Sequence, residues 1–246
     1  MTNTALFVSP HLDDVVFSCG GTLADLAERG WRTCMATVFT ATVLPVEGFA
    51  LACQLDKGLG PDIDYMALRR AEDRDAADIL GVHDLRWLGL PEAPHRGYGS
   101  ASELFGPIRD DDAIWHTVAL DLAALIEELR PGQIFAPQGL GDHVDHRHVI
   151  TAVQHCAGDT PVAWYRDTPY AIRNPAARAH VDLDPETAWP IAHTLGRKIR
   201  AACAYQTQIN FQFGSPDRVE DALTSFAGSE AGERFSGNLK NVLIQP

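Results

Sequence analysis

The sequence predicts an α/β fold in which an open, mostly parallel sheet is flanked by helices on both faces, a three-layer α/β/α arrangement. Short apolar runs typical of buried strands alternate with longer segments whose apolar residues recur at helical spacing. Two strongly polar clusters each follow directly on one of these runs. Because ligands collect at the carboxyl ends of the strands in such sheets, this placement favours a functional site at that edge.

Composition limits the domain organisation and the partners. The chain has 246 residues, of which 46% are hydrophobic, and a formal net charge of −13. This length is sufficient for one sizeable core, and we expect a single domain over residues 1–246. The negative charge argues against nucleic acid or an anionic membrane as a partner, since both attract basic surfaces. A small-molecule substrate fits better.

Nothing in the sequence predicts insertion into a membrane. No apolar run reaches the length of about 18 residues that a spanning helix needs, and residues 1–10 lack the basic start and apolar stretch of a signal peptide. We therefore predict a cytoplasmic protein. Its loop-rich edges are compatible with self-association into a homo-oligomer.

The first half of the chain is predicted to contain three strands and two helices, each bounded by glycine or proline signals. In order, they are a strand at 5–8, a helix that begins within 18–21 and ends at Gly30, a strand at 31–40, a helix at 65–80 that ends at Gly81, and a strand at 85–88. For residues 41–64, the sequence predicts a loop or a loosely helical segment that passes over the site. Residues 91–107 are too polar and glycine-rich for an element and predict a mobile lid.

The second half begins with a helix capped within 110–112 that runs to about residue 129. Pro131-Gly132 then breaks the chain before a fourth strand at 133–136, and a helix follows from about 146 to 155. After this helix, the pattern is irregular until a helix predicted at 192–208, and the tail beyond residue 213 carries no clear signal. His95, Tyr98 and Tyr170 are candidates to face the substrate.

The two polar clusters, at 11–14 and 143–146, combine the residue types of a catalytic zinc site. Such a site typically takes three protein ligands from histidine and carboxylate and leaves one position for water. Two ligands three residues apart on a turn, with a third from a distant strand end, meet this requirement. We predict that His11, Asp14 and His146 bind Zn²⁺, although the same donor set also accepts iron, cobalt or manganese.

The remaining polar residues of the two clusters suit roles around the metal. Asp13 cannot easily share an ion with its neighbour Asp14, because adjacent side chains leave the backbone in different directions. It is therefore free to act as the base that deprotonates a water activated by zinc. His143 is predicted to stabilise the oxyanion or to protonate the leaving amine. Asp145 is predicted to accept a ring N–H and fix a histidine tautomer.

Simpler interpretations exist for each cluster alone. Two aspartates after a strand are often only a solvated turn or a helix cap, and His148 and His155 fit surface or packing roles.

A dinucleotide-binding enzyme is an alternative function for a sheet of this kind. The Gly-x-Gly-x-x-Gly turn it needs is absent after the first strand, where Gly20-Gly21 fits only a closely packed helix start.

Taken together, the two clusters resemble the motifs of the PIG-L or LmbE-like deacetylase family. That family has a motif of the form Ala/Ser-His-Pro-Asp-Asp-Glu after its first strand and a later His-x-Asp-His, which are matched here by residues 9–15 and 143–146. Leu12 and Val15 stand where the family usually has Pro and Glu. The resemblance implies a Rossmann-like LmbE fold and the site residues that it carries over: zinc ligands His11, Asp14 and His146, base Asp13, and transition-state histidine His143.

Three further segments extend the resemblance over most of the chain. They are an arginine-rich helix at 68–82, Trp-Leu-Gly-Leu-Pro-Glu-Ala at 87–93, and a helix with Tyr205 and Gln208 at 198–208. Arg69 in the first of these is a candidate to bind the substrate, whereas an Arg/Glu pair such as Arg69 and Glu72 is usually a surface bridge.

The function that the resemblance implies is zinc-dependent removal of an N-acetyl group from an amino sugar or sugar conjugate of the N-acetylglucosamine type. The residues themselves specify only an amide. Two alternatives therefore stay open: cleavage of another amide such as a thiol conjugate, and a catalytically silent member that binds a sugar. A structural zinc site would usually have four protein ligands rather than three, which argues against the silent form.

Overall fold

Seven strands form one sheet in the computed structural model, which describes residues 3–182, 185–239 and 242. The strands are β1 (Thr4–Ser9), β2 (Arg32–Phe39), β3 (Asp84–Leu90), β4 (Gln133–Pro137), β5 (Val162–Tyr165), β6 (Thr187–Trp189) and β7 (Glu233–Gly237). Their order across the sheet is β3-β2-β1-β4-β5-β7-β6. The first five strands are parallel, and β7 pairs antiparallel with both β5 and β6. The predicted open, mostly parallel sheet is confirmed.

Helices cover both faces of this sheet. They are α1 (Asp14–Glu28), α2 (Gly48–Asp56), α3 (Tyr65–Leu80), α4 (Ala101–Leu104), α5 (Trp115–Leu129), α6 (Val144–Cys156), α7 (Tyr170–Arg173), α8 (Leu195–Ala202), α9 (Gln206–Phe213) and α10 (Asp217–Ser229). Alternate residues of β1 separate two cores. Phe7 packs with α1, α3 and α8 to α10, whereas Leu6 and Val8 pack with α5 and α6. Burial on both faces explains why the strand sequence is continuously apolar, and it confirms the three layers.

The direction of the chain across the sheet reverses between β1 and β4. The chain passes from β1 outward to β2 and β3, and then returns to place β4 on the other side of β1. In open α/β sheets, such a switch leaves a crevice at the carboxyl ends of the two central strands. Both polar clusters of the sequence begin at that crevice.

Most of the predicted elements lie within a few residues of the observed ones. Helix α3 has the predicted bounds, and Gly81 ends it with a φ of 78°. Helix α1 begins at Asp14 rather than within 18–21, because the Phe17 N–H already donates to the Asp13 carbonyl, and the Asp14 carboxylate accepts the backbone N–H of His11 in the turn before the helix. A non-helical residue at Cys19 interrupts α1 where the sequence predicted a start.

The secondary structure predicted from the sequence was wrong in three regions. Residues 91–107 contain a 3₁₀ turn at Ala93–Arg96 and helix α4, and the Arg96 and Tyr98 side chains in this segment are buried. The helix predicted at 192–208 is divided into α8 and α9, because Tyr205 between them turns inward and donates to Asp73. The region around and beyond it contributes β5, β6, α10 and β7, which no sequence signal identified. None of the described helices is both long and apolar enough to cross a membrane.

Gly232 lies directly before β7, where the chain passes close to the backbone of β6. Its φ is 128°, and a Cβ atom there would lie 2.0 Å from the Trp189 carbonyl oxygen. We expect Gly232→Ala to lower the free energy of unfolding by about 3 kcal/mol, because the backbone of β6 would have to move and a strained φ would be added. Urea unfolding measures the change. Gly228→Ala is the control, since the space around that helical glycine is open; equal losses in both variants would contradict the prediction.

Candidate active site

The candidate site lies at the carboxyl ends of three neighbouring parallel strands. The turn after β1 provides His11, Asp13 and Asp14, the turn after β4 provides the cluster at 143–146, and the turn after β5 provides Asp167. Each turn leads into the start of a helix, so backbone and side chains are held by regular structure on both sides. The sheet therefore brings together residues that are more than 130 positions apart.

Three side chains converge as the predicted metal ligands. Nδ1 of His11 and Nε2 of His146 each lie 3.2 Å from the same Asp14 oxygen, Oδ2. Zinc ligands about 2.0–2.2 Å from a tetrahedral ion are about 3.4 Å from one another, which is close to these separations. Nε2 of His146 is buried and has no hydrogen-bond partner among the described residues. The described residues thus contain a site that could hold a metal ion.

Carboxylates behind the two histidines determine which ring nitrogen faces the site. His11 donates from Nε2 to Asp145 at 3.0 Å, and His146 donates from Nδ1 to Asp167 at 2.6 Å. A carboxylate only accepts, so when a cation takes the nitrogen that faces Asp14, each ring keeps its single proton on the far side, bonded to Asp145 or Asp167. Two ring nitrogens and one Asp14 oxygen then direct lone pairs at one point. A cation bound at that point would accept all three lone pairs.

Asp145 is itself held from three directions. Its Oδ2 accepts the N–H of Ala93 in addition to the His11 ring, and its Oδ1 accepts a hydrogen bond of 2.7 Å from Arg96. Arg96 is buried and also binds Asp112. The predicted role of Asp145, fixing a histidine tautomer, has the geometry that it requires in the pair with His11.

The electrostatic field of the site favours a positive charge. Burial alone would lower the pKa of both histidines, but the facing carboxylates outweigh it. The pKa of His11 is raised well above its usual value by Asp14 and Asp145, and that of His146 is raised to about 9, chiefly by Asp14. Although burial opposes it, the same pairing lowers the pKa of Asp14, chiefly through His146. An excess of buried carboxylates therefore surrounds the point where the three ligand atoms meet.

Asp13 occupies a strained backbone position beside the ligands. Its φ of 147° is rarely adopted by residues other than glycine, and strain of this kind concentrates at functional sites. Burial and then the neighbouring Asp14 raise the pKa of Asp13 to about 8. The guanidinium of Arg69, 3.8 Å from Oδ2, acts in the opposite direction. Asp13 lines the cavity with a carboxylate that has a high affinity for a proton.

His143 lies on the other side of the ligand group. It is the N-cap of α6, and its Nδ1 accepts the backbone N–H of Asp145 at 3.2 Å. The ring proton is therefore on Nε2. Burial, and next the neighbouring His11, lower the pKa of His143 to about 3, which keeps the ring neutral. His143 can thus act as a neutral hydrogen-bond donor in the cavity.

Arg69 lies in the cavity wall, but other protein groups already bind its terminal nitrogens. Nη1 donates to Glu92, and Nη2 donates to the Leu12 carbonyl at 3.1 Å. Only Nε has no partner among the described residues. The observed contacts therefore attach α3 to the turn that contains Asp13, and a direct contact with substrate stays a prediction. Glu72 is not the partner of Arg69, since it binds Thr207 instead.

A cavity of about 460 Å³ opens at the ligand group. His11, Asp13 and His143 line it together with residues of the 41–64 and 91–107 segments, the two segments that the sequence predicted to face a substrate. A cavity of this size accommodates a sugar with a substituent.

The three aromatic candidates for substrate contact have different surroundings. His95 and Tyr170 line the cavity. Tyr98 does not, since it is buried and its hydroxyl accepts the N–H of Arg109 at 3.2 Å. Val15, where the family motif usually has Glu, packs in the apolar core with Phe17 rather than along the cavity.

The three further segments that resemble the family, at 68–82, 87–93 and 198–208, meet around Asp73. Its carboxylate accepts hydrogen bonds from Trp87 at 2.8 Å and from Tyr205 at 2.6 Å. Gln208 binds Tyr65 on the same side of α3. These motifs therefore connect α3, β3 and the C-terminal helices, and this connection holds Arg69 at the cavity.

A family model for GlcNAc-PI de-N-acetylases, PIG-L, matches residues 6–157. The chain belongs to the PIG-L family. The 2'-N-acetylparomamine deacetylase of Streptomyces fradiae is 30% identical over 96% of this chain and 88% of that protein. A probable N-acetyl-alpha-D-glucosaminyl L-malate deacetylase of Bacillus cereus is 25% identical over 85% of this chain and 84% of its own length.

Solved structures of PIG-L-like fold agree with this assignment. A deacetylase from the biosynthesis pathway of teicoplanin superimposes with a TM-score of 0.84, 26% identity, and coverage of 96% of this chain and 97% of that one. Deacetylases of this family are metal-dependent. The predicted family and the predicted class of enzyme, an N-deacetylase, are confirmed.

Sequence reasoning missed three residues of this PIG-L site. Asp167 binds His146, Arg96 binds Asp145, and Glu92 binds Arg69. Asp167 follows the end of a strand, as the other site residues do, but β5 was not recognised and the signal was lost. Arg96 lies in the segment that was interpreted as a lid.

The pair of His146 and Asp167 provides a test of the metal site. We expect Asp167→Asn to weaken metal binding by about 10- to 100-fold, because an uncharged amide oxygen holds the ring proton on Nδ1 less strongly than a carboxylate does. Competition with a fluorescent chelator measures this affinity. Asp142→Asn makes the same change in the surface pair of Asp142 and His180 and should leave the affinity unchanged. Unchanged affinity in Asp167→Asn would contradict the tautomer assignment.

Proposed function

We propose that this protein is a zinc-dependent hydrolase that removes the N-acetyl group from an amino sugar or sugar conjugate of the N-acetylglucosamine type, releasing a free amine and acetate. The observation that carries the proposal is the convergence of His11, Asp14 and His146 at an open cavity, with Asp13 and His143 on either side. The named activities of the relatives, on 2'-N-acetylparomamine and an N-acetyl-glucosaminyl malate, support the substrate class. We assign this activity to a single domain over residues 1–246.

Zinc is the metal that we propose for this site. Two imidazoles and one carboxylate, with a position left for water, form a donor set typical of catalytic zinc. The bound ion would supply a Lewis acid that polarises the amide carbonyl and makes water more acidic. Iron, cobalt and manganese accept the same ligands and are the alternatives that metal analysis must separate.

The residues around the ligands provide the proton transfers that amide hydrolysis needs. Asp13 accepts a proton from the water whose oxygen attacks the acetyl carbonyl carbon. His143, neutral and protonated on Nε2, donates a hydrogen bond to the carbonyl oxygen as that oxygen becomes negative. When the C–N bond breaks, the proton held by Asp13 passes to the departing nitrogen, and acetate is left. Arg69 keeps the Asp13 turn in place through the Leu12 carbonyl.

The proposal is tested by metal analysis of protein purified without added metal, combined with a screen for acetate release. We expect about one zinc per chain, release of acetate from N-acetylated amino sugars, loss of activity with a chelator and recovery with zinc. Mass spectrometry of the products separates deacetylation from cleavage of another amide. Protein that binds sugar without releasing acetate would indicate the silent form.

Asp13→Asn separates catalysis from metal binding. Asparagine preserves the shape of the side chain and tolerates the unusual backbone angle, but it cannot accept the proton. We expect kcat to fall by about 100- to 10,000-fold while zinc content stays near one per chain. Asp56→Asn, the same substitution at an exposed position of the cavity, should leave kcat nearly unchanged. An Asp13→Asn enzyme with full activity would refute the base assignment.

The cytoplasmic location and the self-association derived from the sequence stay predictions. Gel filtration with light scattering measures the latter directly.

A further inference from the structure

Exposed apolar side chains concentrate at the mouth of the cavity. Among the described residues, seven large apolar side chains are exposed, and four of them line this cavity. We call these four the apolar wall: Leu44, Ile63, Phe105 and Phe211. Their exposed fractions are 66%, 41%, 44% and 59%, respectively. Such a concentration at one site typically marks a surface that a ligand covers.

The wall continues into the cavity. Val43, Val46 and Phe49 line the same space and are half-buried, so the apolar surface extends from the rim inward. Residues 43–49 lie between β2 and the first turn of α2, outside the two main cores. They therefore contribute to the cavity rather than to the packing of the sheet.

The wall is continuous with the reacting centre. The Phe105 ring packs edge-on against His143, with the ring centroids 5.3 Å apart, and its centroid lies 6.1 Å from that of Tyr170. A group that lies against the wall therefore extends directly from a sugar positioned at His143.

Phe211 is held in its exposed position by its neighbours. The ammonium of Lys57 lies 4.9 Å from the Phe211 ring and 5.5 Å from the Tyr65 ring, and the Phe211 carbonyl accepts a hydrogen bond from Arg173 at 3.3 Å. These contacts favour the position of Phe211 at the mouth of the cavity, where a ligand would meet its ring.

We propose that the substrate is an N-acetylated sugar carrying an apolar alkyl or aryl substituent, and that the apolar wall binds this substituent. This inference rests on the proposed deacetylase function and narrows its substrate class. A wholly polar saccharide would leave these four side chains in water, whereas an apolar substituent gains free energy as both surfaces lose contact with water. The acetamide lies at Asp13 and His143, and the substituent extends toward Leu44 and Phe211.

The test is a series of alkyl N-acetylglucosaminides with methyl, butyl, hexyl and octyl groups, assayed on the zinc-loaded enzyme for kcat/KM of acetate release. We expect kcat/KM to rise by about two- to fourfold for each methylene that the wall covers, with a plateau once it is covered. A flat series with measurable release would overturn this inference and leave the deacetylase function standing. No release from any member would overturn both.

Substitutions in the apolar wall test whether these side chains cause the preference for long alkyl groups. In Leu44→Ser and Phe211→Ser, we expect the ratio of kcat/KM for the octyl and methyl glycosides to fall at least tenfold. Leu120→Ser is the matched control, because Leu120 is 72% exposed on α5 and does not line the cavity; its ratio should equal that of the unaltered enzyme. An unchanged ratio in the wall variants would refute the proposal.

The alternative ligand of the apolar wall is a second copy of this chain. Sedimentation velocity on the same proteins distinguishes it. If Leu44→Ser or Phe211→Ser converts a dimer to a monomer without changing the octyl-to-methyl ratio, the wall is an interface between copies, and the substrate inference is wrong.

Discussion

The burial of Asp14 between two imidazoles is the constraint on which the rest of the site depends. One carboxylate oxygen lies 3.2 Å from a ring nitrogen on each side, and each imidazole bonds a second carboxylate, Asp145 or Asp167, on its far side. The buried carboxylates of Asp14 and Asp167 have these imidazoles as charge partners and require further compensation once the rings are neutral ligands, since an unpaired charge is costly in a protein interior. The site is built to be completed by a cation.

The protein stabilises the remaining charges with two buried arginines. Arg96 neutralises Asp145 and Asp112 behind one histidine, while Arg69 neutralises Glu92 and lies near Asp13. Neither arginine is a ligand, yet each fixes the group next to the chemistry. This arrangement explains why two segments outside the two motifs, α3 and the 91–107 region, lie at the site.

Local signals predicted much of the fold and the centre of the site, and non-local contacts account for what they missed. Strand β1 and helix α3 are bounded by their own residues, so their patterns were sufficient. Strands β6 and β7 are short, mixed in polarity and paired through contacts distant in sequence, which single-sequence periodicity cannot detect. The same applies to Arg96, whose importance follows from burial beside Asp145 rather than from its neighbours in the sequence.

The reversal of strand order between β1 and β4 has a consequence for how the protein folds. The ligands of the two motifs are separated by about half the chain, and they meet only when β1 and β4 are paired. An ion bound there favours the native topology over any partly assembled chain, because the unfolded state has no preformed site. The metal would then stabilise a pairing between strands that are far apart in the sequence, which is the kind of contact that forms slowly in folding.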